Sequence, residues 1–113
     1  MQPLGVARAH EAGVVIAAGS DVGSGLMFHG LSPLEPIAYV ELAGMSEMDA
    51  IVTATVNGAK LLRMEDELGT LEPGKYADLI ATSTSPLEEI RALLDVTFVM
   101  KGGVVYRNDE QTR

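Results

Sequence analysis

Val14-Val15-Ile16-Ala17-Ala18 is an unbroken apolar run, and Gly19-Ser20-Asp21 closes it. A short run with no polar residue on either face predicts a strand buried on both sides, as in a parallel sheet covered by helices. Leu4, Ala7, Arg8 and Glu11 are spaced along one helix that ends near Gly13. Helix, tight turn and buried strand make an αβ unit, so the fold class is α/β. A carboxylate just past the carboxyl end of such a strand stands where α/β barrels gather their catalytic groups. A complete barrel takes roughly 250 residues, and this chain has 113.

Three later segments share a helix-start signature. Ser32-Pro33-Leu34-Glu35, Ser46-Glu47-Met48-Asp49 and Ser85-Pro86-Leu87-Glu88 each place Ser at the N-cap and an acid three residues on. The hydroxyl accepts an orphan backbone N–H, and the acid complements the helix dipole. The first helix is expected to end at Ala43, with Gly44 just beyond it. The second is expected to run from Glu47 to about Leu62, with Met48, Ile51, Val52, Thr55, Ala59 and Leu62 on its packed face. Asn57-Gly58 is read within this helix as a small spot for close packing rather than as a turn. Leu71-Glu72-Pro73-Gly74 reads as a turn, its Pro and Gly suiting type II. Ala77–Thr82 reads as a strand, Leu87–Leu94 as a short helix, and Val96–Lys101 with Val104–Arg107 as a hairpin about Gly102-Gly103. Met27, Met45, Met48, Met64 and Met100 read as core filler.

Composition narrows the function. Sixteen acids against eight bases give a net charge of -8, and phosphate backbones demand a basic face, so nucleic acid is not an expected partner. The chain has no Cys, which removes disulfides, thiolate metal sites and a Cys nucleophile. Neither a signal peptide nor a membrane span is expected, and the setting is read as cytoplasmic. The Gly-rich segment Gly19–Gly25 lacks the Gly-Lys-Ser/Thr ending of a phosphate loop. Ser20 and Ser24 have no adjacent base to make either a nucleophile. On the residues alone, Asp21 is either a catalytic-type acid or the cap of a turn. His29 is an ordinary loop residue, and His10 a surface residue.

The order of motifs resembles a known family. Gly19-Ser20-Asp21-Val22-Gly23 is followed by His29-Gly30, by Glu41–Ser46 and by Ala50–Leu62. Then come Leu68–Ile80, which contains Leu71-Glu72-Pro73-Gly74-Lys75-Tyr76-Ala77-Asp78, and Val99–Tyr106. This sequence resembles the C-terminal end of the metal-dependent amidohydrolase superfamily, in its imidazolonepropionase-like and Xaa-Pro dipeptidase branch. The resemblance covers nearly the whole chain.

It implies the C-terminal piece of a (β/α)8 barrel, with its last strand and following helices, plus part of a small β-sandwich. Residues 1–64 are then the terminal barrel segment, residues 65–107 the sandwich segment with its short helix, and residues 108–113 a polar tail. It implies a divalent metal, usually zinc, and hydrolysis of a C–N bond in a cyclic amide, an N-acyl compound or a dipeptide. Asp21 matches the family's last-strand Asp, which touches the metal and takes the proton of the attacking water. His29 falls where the family shapes its substrate pocket. The family's His-x-His pair has no match here, since His10 and His29 are the only histidines. A catalytic zinc needs about three protein ligands, so the chain alone is expected to be inactive and to hold no metal tightly. The alternative is a non-catalytic oligomerising module of the same descent. Uncovered strand edges predict a partner, either a second copy or a complementary N-terminal chain.

Overall fold

The structure, a computed structural model, describes residues 3–21 and 28–112. Helices lead: α1 (Pro3–Glu11), α2 (Leu34–Glu41), α3 (Glu47–Ala54) and α4 (Val56–Leu62). Strands follow: β1 (Leu79–Thr82), β2 (Val96–Lys101) and β3 (Val104–Asn108). They pair antiparallel in the order β1-β2-β3. A 3₁₀ helix, Ile90–Leu94, joins β1 to β2, and another, Asp109–Thr112, follows β3. Val22, Gly23, Ser24, Gly25 and Met27, which carried the loop, nucleophile and core-filler readings, lie outside the described residues.

Local chemistry explains the best-placed elements. Ser46 is the N-cap of α3, and its hydroxyl accepts from the Asp49 N–H at 3.1 Å. Gly102 and Gly103 both have positive φ, 56° and 78°. A two-residue hairpin turn of the primed type needs that conformation at both positions. This turn is also pinned from outside. Asp78 Oδ1 accepts from the Gly102 N–H at 2.7 Å, and the Ala77 carbonyl accepts from the Gly103 N–H at 3.1 Å. With Ala77 and Asp78 so engaged, β1 starts at Leu79 rather than at Ala77.

The other two Ser-led starts need correction. The N-cap of α2 is Pro33, with no side-chain cap, and the Ser32 hydroxyl lies 3.4 Å from that of Ser20. Ser85 accepts from the Leu87 N–H, but only a turn follows. The 3₁₀ helix begins later, at Ile90, where the Glu89 carboxylate accepts from the Arg91 N–H at 3.1 Å.

The long helix expected from Glu47 is two helices. Thr55, at φ -123° and ψ -87°, breaks it. Its hydroxyl donates to the Ile51 carbonyl at 2.8 Å, a local bond that competes with the helical ladder. The break turns Asn57 toward the apolar run, where its amide donates to the Ile16 carbonyl at 2.9 Å. Gly58 is not the tight spot. That role falls to Gly69, where an added Cβ would stand 2.9 Å from the Ala59 Cβ and 3.3 Å from the Thr55 carbonyl oxygen.

The core sits among the helices. Ile37, Tyr39, Met45 and Ala50 are buried together with Ile90 of the 3₁₀ helix, and Val6, Ile16, Ala18 and Ile51 pack around them. The buried residues of α3 are Ala50 and Thr53, while Met48 is 52% exposed. Small side chains let α2 approach α3; of the expected face Ile51 still packs against the core, whereas Met48 does not. Leu62 is likewise exposed. Arg91 ties the 3₁₀ helix to α2 through a paired contact with Glu41, at 2.5 and 2.8 Å. Of the expected tail, Asn108 ends β3 and Asp109–Thr112 form the second 3₁₀ helix, where Arg107 pairs with Asp109 and Asn108 accepts from the Glu110 N–H.

Candidate functional site

The segment that carries Asp21 is held from the helical side. The Val14 N–H donates to the Ala9 carbonyl and the Ala18 N–H to the Thr53 carbonyl, both at 2.9 Å. Asn57 supplies the third anchor, at Ile16. Val14–Ala18 joins no ladder among the described residues, although its composition predicts a strand. A ladder needs a neighbouring strand, and the three strands of this sheet pair with one another instead. Ile16 and Ala18 pack against the core, whereas Val14 and Val15 are exposed.

Asp21 lies at the end of this segment, exposed, with φ 47°. That is the left-handed region, which Asp and Asn tolerate better than other residues with a side chain. Beside the segment's end is a hollow of about 340 Å³, whose wall includes Gly19, Ser20, Ser32, Glu35, Ile80 and Leu93. The sequence marks Glu35 only as the acid of a helix start, not as a site residue. Its placement at the hollow depends on how α2 packs. It also acts on the core: burial first, then the Glu35 carboxylate, raises the Tyr39 phenol above its usual pKa of 10.0.

The two histidines go to different places. His29 is exposed, in a turn closed by the Leu31 N–H donating to the Phe28 carbonyl at 3.2 Å. His10, read as a surface residue, is half-buried on α1, with Nε2 3.5 Å from Asp49 Oδ2 at the start of α3. Among the described residues, no three His, Asp or Glu side chains come together as metal donors would. The donor set therefore does not fit a complete metal centre. No step of hydrolysis can be derived from these residues alone.

A helix, an apolar segment with an acid at its end, and a small antiparallel sheet behind them are the parts expected of a barrel's last unit with part of its sandwich. The model of the amidohydrolase family matches residues 4–106, and the chain belongs to that family. It is 33% identical over 102 residues to an imidazolonepropionase of Porphyromonas gingivalis, covering 87% of this chain and 24% of that protein. It is 38% identical over 101 residues to an ochratoxinase of Aspergillus niger, covering 86% and 20%. Among solved structures, a Xaa-Pro dipeptidase with bound methionine superposes with a TM-score of 0.87 at 44% identity, over 94% of this chain and 25% of that one. The chain thus spans about a quarter of the length of the relatives it matches. These relatives fit a C-terminal piece of the amidohydrolase fold. No helix among the described residues is long and apolar enough to cross a membrane.

Proposed function

We propose that this chain supplies one carboxylate, Asp21, to a metal-dependent C–N hydrolase, and that it has no hydrolytic activity by itself. The observation that carries this reading is the position of Asp21. It ends an apolar segment that the helices hold at Val14, Ile16 and Ala18, in a chain matched to amidohydrolases over residues 4–106. The substrate would be a cyclic amide, an N-acyl compound or a dipeptide, and His29 would line its entrance. The metal would be divalent, zinc by family habit, with most of its ligands outside this chain. The setting would be cytoplasmic.

Metal analysis after dialysis tests the first half. The purified chain should retain well under one zinc per molecule. A tightly held stoichiometric zinc would sink the reading. A panel of Xaa-Pro dipeptides and N-acyl amino acids, offered with added zinc, tests the second half and should show no turnover. Asp21→Asn should meanwhile leave the denaturation midpoint nearly unchanged, because Asn tolerates the same backbone conformation. A loss above about 2 kcal/mol would give Asp21 a structural role instead.

The alternative, a non-catalytic oligomerising module of the same family, is favoured by a different observation. A wide apolar groove runs beside β1, and Asp21 and His29 are not among the residues that line it.

A further inference from the structure

We infer that the Lys75 ammonium is an internal cation that locks the loop between α4 and β1. It sits in a socket of three oxygens, which takes an alkylammonium group by its N–H donors as well as by its charge. The inference stands apart from the hydrolytic reading, because every contact it uses lies within residues 55–103.

Charge gives the first argument. Glu65, Asp66, Glu67 and Glu72 crowd one short stretch, and Lys75 is the single base between Arg63 and Arg91. A loop of that charge repels itself, and a cation placed within it offsets the repulsion. Lys60 and Lys101, the other lysines of the chain, are exposed, whereas the Lys75 side chain is 16% exposed.

Geometry gives the second. Lys75 Nζ lies 2.6 Å from the Glu65 carbonyl oxygen, 3.2 Å from Glu72 Oε2 and 3.5 Å from the Leu68 carbonyl oxygen. An ammonium has three N–H donors and no acceptor, so the oxygens match its donors one for one. The Thr70 hydroxyl donates to the same Glu72 oxygen. Thr70 first, and then Lys75, hold the Glu72 carboxyl below the usual carboxylate range. Loss of the ammonium would leave these oxygens converging with no cation between them, which is costly for groups withdrawn from water.

The path of the chain gives the third. The Leu68 N–H donates to the Met64 carbonyl at 2.8 Å, and the Tyr76 N–H to the Glu67 carbonyl at 3.0 Å. Both ends of the loop therefore meet beside Lys75. Gly69, next to Leu68, faces Ala59 and Thr55 at close range. Two residues past Tyr76, Asp78 accepts from the Gly102 N–H of the hairpin turn. Lys75 is thus a positioning residue, which sets where the chain leaves the helices and enters the sheet.

Limited proteolysis of the purified chain with a Glu-specific protease tests this, read as the rate of cleavage after Glu65 and Glu67. Lys75→Ala should raise that rate at least about tenfold, as expected when a loop opens locally. Propylammonium chloride supplies the part of the side chain that this variant lacks, and should restore most of the protection. Sodium chloride and tetramethylammonium chloride at the same ionic strength should not, since neither cation has an N–H to donate. Unchanged cleavage in the variant overturns the proposal. In a variant that keeps its helical circular dichroism, equal protection by all three salts, or by none, overturns it too. A second measurement uses the wild-type chain and does not depend on folding of the variant. Acetylation by acetic anhydride, read at each lysine by mass spectrometry, should be at least about tenfold slower at Lys75 than at Lys60 and Lys101. Comparable rates at the three lysines overturn the socket.

Discussion

The helical and sheet halves of this molecule are finished to different degrees. The helical half buries its own apolar residues: Ile37, Tyr39, Ala50 and Ala59, with Met45 between α2 and α3, are all at most 5% exposed. No residue of β1, β2 or β3 reaches that burial. Ile90 and Ala92, between β1 and β2, are buried, and Ile90 joins the helical core. Yet the sheet is well specified, with a glycine turn, outside anchors to that turn, and a defined register. Backbone pairing and turn chemistry can therefore fix a sheet's shape without supplying its cover. Stability should be concentrated in the helices.

The largest test of that contrast is a matched pair of truncations. Ile37→Ala should cost about 2–5 kcal/mol in urea denaturation, the usual range for emptying a packed site. Val105→Ala should stay within about 0.5 kcal/mol. Comparable losses at both positions would mean that the sheet carries a core of its own.

Gly69 sharpens the boundary between the halves. Its φ is +96°, and a Cβ would press on Ala59 and on the Thr55 carbonyl. Gly69→Ala should lower stability by about 1–3 kcal/mol, from overpacking and backbone strain together. Chemical denaturation of the variant measures it, and an unchanged midpoint would show that the α3–α4 junction yields freely.

Helix capping should give a smaller effect. Ser46→Ala removes a bond made at 3.1 Å and should cost about 1 kcal/mol. Ser32→Ala should cost almost nothing, because Pro33 is the N-cap of α2 and takes no side-chain bond. Thermal melts of the two variants should differ in that order.

The smallest effect is confined to alkaline solution. The Tyr39 phenol has a raised pKa in the folded chain, first from burial and then from Glu35. Its contribution is fully present below the unfolded value of about 10. It is lost as pH rises from there through the folded value, since the unfolded chain releases the proton more readily. Stability should therefore fall more steeply above pH 10 in the wild type than in Tyr39→Phe. Parallel alkaline slopes in denaturation series would remove Tyr39 from the explanation.

What the sequence disclosed was chiefly local. The Ser46 cap and the Gly102-Gly103 turn are each specified within a few residues, and both stand where expected. The break at Thr55 was not legible, because Asn57 is drawn to Ile16, 41 positions away. Leu62 and Met48 looked like core, but closeness of α2 and α3 selects Ala50 and Thr53 instead. The family could be read from Gly19-Ser20-Asp21 and Leu71-Glu72-Pro73-Gly74 in order, since such motifs survive in a short stretch. Glu35 was legible only as the acid of a helix start, because its place beside the hollow depends on tertiary packing.

The three anchors on the apolar segment fall at Val14, Ile16 and Ala18. In an extended chain, the N–H and C=O of alternate residues point to the same edge. The helices thus occupy one edge of the segment, with an asparagine amide standing in for part of a partner strand. Val15 and Ala17 present the other edge. Among the described residues that edge of the segment has no strand against it. The acid at its end can be in position before any neighbouring strand arrives.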